Sequence, residues 1–212
     1  MCGFDLGHFG DLLTAAEAGG YRLAFFDHEP REGDLFLRHD VDLSLDAARR
    51  LSAFERERGV RATYFVMPTS VFYNLASPEG EETVEQLRAD GHRIGLHADF
   101  PELGFDHRFD RIVSWHNPDP DWMSTPVEGV VNVMGPPWFS PDTYRSDSNQ
   151  KWRAGCPHEE IVAGAFPWLQ LLIHPEIWVY PGDSMRETMH SMLDLDRERR
   201  LEQLAADKID LT

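Results

Sequence analysis

Apolar residues recur along this chain with two periods. Near the start, Phe9, Leu12, Leu13 and Ala16 lie three or four apart, on one face of a helix that Gly19-Gly20 ends. Leu35, Phe36 and Leu37 form a short continuous apolar run that reads as a buried strand, terminated by the charged cluster Arg38, His39, Asp40 and Asp42. Ser44 caps the next helix with Asp46 in its first turn, and Ala47, Leu51 and Phe54 line its inner face before Gly59 stops it. Residues 62–66 are rich in β-formers and predict a second strand. A helix carrying Val84 and Leu87 ends near Gly91, and strand-like runs follow at 93–96, 111–115 and 169–173. Ser184 and Glu187 fit a capping box for a last helix, whose stripe of Met185, Met189, Met192 and Leu193 reads as core.

Strands alternating with helices predict an α/β architecture, in which chemistry collects at the carboxyl ends of the strands. Asp40 and Asp42 follow the first strand, His97 the third, His116 the fourth and His174 the fifth. A solvated polar rim explains one such cluster. Such groups at four of the five predicted strand ends weigh against it.

Composition narrows the class. With 212 residues and 42% hydrophobic content, the expectation is one domain spanning 1–212. The net charge of -17 excludes a nucleic-acid backbone as partner. The two cysteines, Cys2 and Cys156, match neither a disulfide framework nor a zinc spacing, so reduced thiols are expected. No basic leader precedes an apolar core and no apolar run is long enough to span a bilayer, so the expected location is cytoplasmic. Oligomeric state is not legible.

Asp and His together suit zinc or a similar divalent ion, and two imidazoles with one carboxylate leave a position open for water. Asp40 and Asp42 stand two apart, hence on one side of an extended segment. One can then bind metal while the other takes a proton from water.

Several stretches taken together resemble the polysaccharide deacetylase superfamily (NodB homology, carbohydrate esterase family 4), in its HDVD branch. They are "LRHDVDLSLDAARRLSAFERERGVRATYFV", "GHRIGLHADF", "YRSDSNQKWR" and "LQLLIHPEIW". The resemblance implies a distorted (β/α) barrel and zinc-dependent hydrolysis of an N-acetyl group from an amino sugar or glycan. It implies Asp40 as general base, His174 as the acid that protonates the departing amine, and Asp42 and His97 as metal ligands. The family's second histidine ligand lies four residues after the first, where this chain has Pro101, which cannot ligate. His116 is the preferred replacement, ahead of His107 and Asp99. The family's base-orienting arginine has no clean match; Arg145 and Arg153 are stand-ins. Asp147 and Trp152 are candidate substrate contacts, although Asp147 could equally cap its loop through Ser148. His39 is read as hydrogen-bonding the strand end behind the site. Two competing readings are a degenerate, non-cleaving carbohydrate binder and an all-helical metal phosphohydrolase suggested by His39-Asp40.

Overall fold

The computed structural model describes residues 3–99 and 105–210. Eight strands form one sheet in which every pairing is parallel: β1 (Arg22–Leu23), β2 (Asp34–Val41), β3 (Thr63–Val66), β4 (Arg93–Ala98), β5 (Ile112–Trp115), β6 (Val131–Asn132), β7 (Tyr144–Ser146) and β8 (Leu169–Ile173). Their order is β6-β5-β4-β3-β2-β8-β7, with β1 added at the start of β2. Between them run α1 (Leu6–Ala18), α2 (Leu45–Arg56), α3 (Pro78–Ala89), α4 (His158–Val162), α5 (Pro175–Val179) and α6 (Met185–Ala206). This is an α/β fold, and the sheet curls into a half-barrel. Arg38 on β2 reaches Ser114 on β5, three strands away, at 2.6 Å. Gln170 on β8 reaches the Val133 carbonyl just beyond β6 at 3.1 Å. Side chains so distant in strand order meet only across a concave face.

Strand alternation sorts the core into two. Leu35, Leu37 and Val41 of β2, with Leu169, Leu171 and Ile173 of β8, face outward and pack under the helices with Phe9, Leu51 and Trp178. Phe36, Phe65 and Ile112 face inward and, with Phe26 and Val133, form a separate apolar floor inside the curl. Gly95 on β4 leaves room for that floor: a Cβ there would stand 2.5 Å from the Phe65 ring.

The caps lie where predicted. Ser44 accepts from Ala47 N, and Ser184 accepts from Glu187 N while Glu187 Oε2 accepts from Asp183 N. Three expectations are corrected. The charged cluster does not terminate its strand: β2 runs through it to Val41 with all eight residues buried. The last helix is less of a core element than its stripe suggests, since Met192 is buried but Leu193 is half exposed. Cys156 takes part in a disulfide rather than being reduced, and Cys2 lies outside the described residues. Among the described residues no helix is long and apolar enough to cross a membrane.

Candidate active site

The site rises from the apolar floor in two polar layers. Directly above Phe36 on β2 comes Arg38, then Asp40, both on the concave face because they are two apart. The guanidinium grips both carboxylate oxygens, Nε to Oδ1 at 2.8 Å and Nη2 to Oδ2 at 2.6 Å. Nη1 donates to Gln170 Oε1 on β8 at 2.9 Å, and Nη2 donates also to Ser114 Oγ on β5. Burial works to raise the Asp40 pKa, but the Arg38 charge outweighs it and holds the carboxyl well below the usual range. Asp40 is thus a fixed, ionised acceptor.

Asp42 lies in the upper layer, just past the end of β2. His97, on β4, presents Nε2 to Asp42 Oδ1 at 3.0 Å, and Asp40 Oδ2 is 3.9 Å from the same nitrogen. His97 Nδ1 lies 2.9 Å from the Ser114 carbonyl, which can only accept, so Nδ1 carries the proton. Asp42 Oδ1 is buried without a hydrogen-bond partner. Either a second proton on Nε2 or a cation between the two atoms satisfies both. Burial disfavours the charged imidazole, yet the Asp40 and Asp42 carboxylates raise the His97 pKa.

His174 closes the other side. It follows β8, with Nε2 3.8 Å from Asp42 Oδ2. Asp147, fully buried after β7, accepts from His174 Nδ1 at 2.5 Å, from His174 N at 2.9 Å and from Trp178 Nε1 at 2.6 Å. Burial alone would lower the His174 pKa; the Asp147 carboxylate reverses this and pushes it up to about 10. Asp147 is therefore what holds the imidazolium, not a cap for its loop.

His116, past β5, sits at the edge of this group. Its Nδ1 meets Asp99 Oδ1 at 2.7 Å, and its Nε2 lies 3.9 Å from Asp42 Oδ2. The Asn117 amide nitrogen is 3.0 Å from that Nε2, and Asn117 adopts the left-handed backbone with φ 45°. The carboxylate on Nδ1 is the usual support for a metal-binding histidine, while the Asn117 amide occupies the other nitrogen. His107 is exposed and makes no hydrogen bond or ion pair to these groups. Pro101 lies outside the described residues.

The donors fit a divalent ion in part. Asp42 Oδ1 and His97 Nε2, 3.0 Å apart, are the closest carboxylate and imidazole atoms in the group, spaced as two donors to one ion are. Among the described residues no three His, Cys, Asp or Glu side chains are drawn together closely enough to enclose an ion. The next nearest imidazole nitrogens to Asp42 are His174 Nε2 at 3.8 Å and His116 Nε2 at 3.9 Å.

Two hollows flank the group. A recess of about 400 Å³ is lined by Asp42, Asp99, His116 and Met67. Next to it in the chain, from Asn117 onward, a cleft of about 650 Å³ runs between Asn117, Met134, Phe139, Tyr144 and Trp152. Trp152 therefore borders the cleft, whereas Trp178 is core and Trp138 donates to the His28 carbonyl away from it.

Four functional placements escape sequence reading. Arg38, not Arg145 or Arg153, orients Asp40; Arg145 pairs with Glu160 instead. Ser114 and Gln170 complete the Arg38 shell. Glu176 begins α5 fully buried, with Oε2 unpartnered, and burial followed by the Asp42 charge pushes its carboxyl up to about 8. His39 points to the other face of β2, where Nε2 meets Glu55 Oε1 at 2.8 Å, so it does not stand behind the site. That placement, in a parallel sheet, also removes the all-helical phosphohydrolase reading.

The chain is an α/β half-barrel that gathers Asp40, Asp42, His97 and His174 at the carboxyl ends of its strands. No family model matches the chain, and no curated protein matches it in sequence. Among solved structures it is similar to a peptidoglycan deacetylase of Bdellovibrio bacteriovorus, with 14% identity over 86% of this chain and 45% of that one, at a TM-score of 0.27. This chain spans less than half the length of that structure. At that score the overlap says nothing of the site, which stands on its own geometry.

Replacing Arg38 by Met leaves Asp40 buried without its counter-charge, and is expected to cost about 3–5 kcal/mol. The loss is to be read by urea denaturation at neutral pH. Asp40 is depressed in the folded protein, so its contribution is complete above the unfolded carboxyl pKa of about 3.9 and fades as pH falls toward the folded value. Without Arg38, burial raises the Asp40 pKa, so the variant's penalty shrinks as the carboxyl protonates above about pH 4, and the wild-type contribution then fades below it. The gap should narrow steadily as pH is lowered from neutral. A gap independent of pH would mean that Arg38 supports packing alone.

Proposed function

We propose that the protein is a metal-dependent hydrolase that removes an N-acyl group from an amino sugar or glycan. The observation that carries this reading is the opposition of two proton-transfer groups across Asp42. Asp40 is held ionised by Arg38 and His174 is held protonated by Asp147. Titratable groups whose surroundings push their pKa values apart are how a site divides base and acid roles. The resemblance to NodB-type deacetylases assigns the same two roles to the same two residues.

A divalent ion, zinc by the chemistry of its donors, would be held by Asp42, His97 and His116, and would acidify water and polarise the acyl oxygen. Asp40 accepts the proton of the attacking water. The oxygen adds to the acyl carbon, the C–N bond breaks, and His174 gives its Nε2 proton to the departing amine. Its Nδ1 stays on Asp147, so the imidazole keeps its orientation through the transfer. The cleft beside Tyr144 and Trp152 offers aromatic faces for the sugar, the usual partners of a pyranose ring's apolar side.

The test combines metal analysis with an acetate-release screen on N-acetylated sugars. Asp40→Asn should retain zinc while losing about 10²-fold or more in turnover, the scale of a general base. Near-full turnover in that variant sinks the assignment. His116→Ala should lower bound zinc strongly while His107→Ala leaves it intact; full zinc in His116→Ala means that the third ligand lies elsewhere. A protein that binds no zinc and releases no acetate would instead be the non-cleaving binder.

Asp147→Asn removes the charge that raises the His174 pKa. An acid works only below its pKa, so the basic limb of kcat/KM should move to lower pH in Asp147→Asn than in the wild type. An unmoved limb would free His174 from the acid role.

A further inference from the structure

A second cavity, of about 610 Å³, adjoins the cleft and shares Ser148 and Arg153 with it. Three cations line it, Lys151, Arg153 and Arg186, against one carboxylate, Asp183. None of the three cationic side chains has a hydrogen-bond, ion-pair or aromatic partner among the described residues. Elsewhere arginines are mostly engaged: Arg22, Arg49, Arg56, Arg108, Arg145, Arg199 and Arg200 all meet carboxylates. In a chain of net charge -17, three unneutralised cations around one hollow are a local reversal of sign.

The loop that carries them is fixed to the site. Asp147, which holds His174, starts it. Asn149 and Gln150 both take left-handed backbone, at φ 58° and 56°, which side chains other than glycine rarely adopt. Gln150, buried, pins the turn by donating to the Gly182 carbonyl at 2.9 Å and accepting from Thr188 Oγ1 at 3.0 Å. The turn thereby sets Lys151 and Arg153 on the outer side of the loop whose inner side grips the acid. An anionic molecule approaching this acidic protein is repelled over most of the surface, and the reversed patch lies beside the cleft.

Resting on the deacylase reading above, we infer that the substrate is an anionic amino sugar, with a phosphate or carboxylate group seated between Lys151, Arg153 and Arg186. Arginine forks and a lysine charge suit either oxyanion. The neutral sugar then lies in the cleft next to Tyr144 and Trp152, with its acyl group toward Asp42.

Calorimetry on the zinc-loaded protein tests this with four probes: N-acetylglucosamine, its 1-phosphate, N-acetylmuramic acid and inorganic phosphate. At least one anionic sugar should bind about tenfold or more tightly than the neutral sugar, the scale of a charge-assisted contact. High salt and the double variant Lys151→Gln/Arg153→Gln should both erase that advantage. Both residues are exposed, so the variant keeps the fold. Equal affinities, or an advantage that survives the double variant, overturn the proposal. Inorganic phosphate binding as tightly as the sugar phosphate also overturns it, because the cavity would then be a plain anion site. Acetate release is scored separately: its absence from every probe counts against the hydrolase reading, and the binding comparison decides this one.

Discussion

The buried pair of Arg38 and Asp40 is the interaction on which the rest of this structure depends. Both side chains are almost wholly removed from water on the concave face of one strand. Such burial costs several kcal/mol per ion and is tolerated only when geometry is good and the remaining donors are satisfied. Both conditions hold. The guanidinium is bidentate on the carboxylate, and its remaining N–H groups reach Gln170 from Nη1 and Ser114 from Nη2. Those two residues belong to strands on either side of β2, so the pair ties β8 and β5 across the curl. The same contacts that stabilise the charge thus hold the sheet in a half-barrel.

His39 shows why β2 can carry so much charge without ending. Its neighbours face the concave side, while its own ring faces the helices and meets Glu55, which also accepts from Tyr64 Oη at 2.6 Å. Each face of the strand therefore compensates its own charges. β2 is anchored to α2 through Glu55 and to β5 and β8 through Arg38. Asp40 and Asp42 inherit that position, so both carboxylates are held with little freedom before any ligand arrives.

Much of this was legible in the sequence, for a simple reason. Period-two and period-three-to-four patterns report which face is buried, and they located β2, β3, β4, β5, β8 and the capped helices. They also brought Asp40, Asp42, His97, His116 and His174 to one rim. The very short strands β1, β6 and β7 escaped, since two or three residues carry no period. Arg38 was missed although the rule that grouped Asp40 with Asp42 applies two residues further back. Ser114 before His116, and Gln170 before His174, sit on the inner face by the same alternation. A polar residue two or four positions before a site residue was the available signal. Asp147 was singled out as a substrate contact or a loop cap, but its hold on His174, like the burial of Glu176 in α5, comes from packing that no periodicity reports.

The charge balance of the upper layer is the last step. Asp40, Asp42 and Asp147 bring three carboxylates together, and Arg38 and His174 supply two fixed positive charges. The deficit appears in two places. The His97 pKa is raised by Asp40 and Asp42 against the pull of burial. Glu176, fully buried, is driven toward its neutral form by burial and then by the charge of Asp42. Groups on two different elements thus respond to the same excess of negative charge, centred on Asp42. A divalent cation bound there would relieve both. It would let His97 give up its second proton and ligate through Nε2, and it would shield Glu176 from Asp42. Asp42 is thus the point on which the charge of this rim turns, and His116 stands apart from it, with Nε2 3.9 Å from Asp42 Oδ2 and in contact with the Asn117 amide.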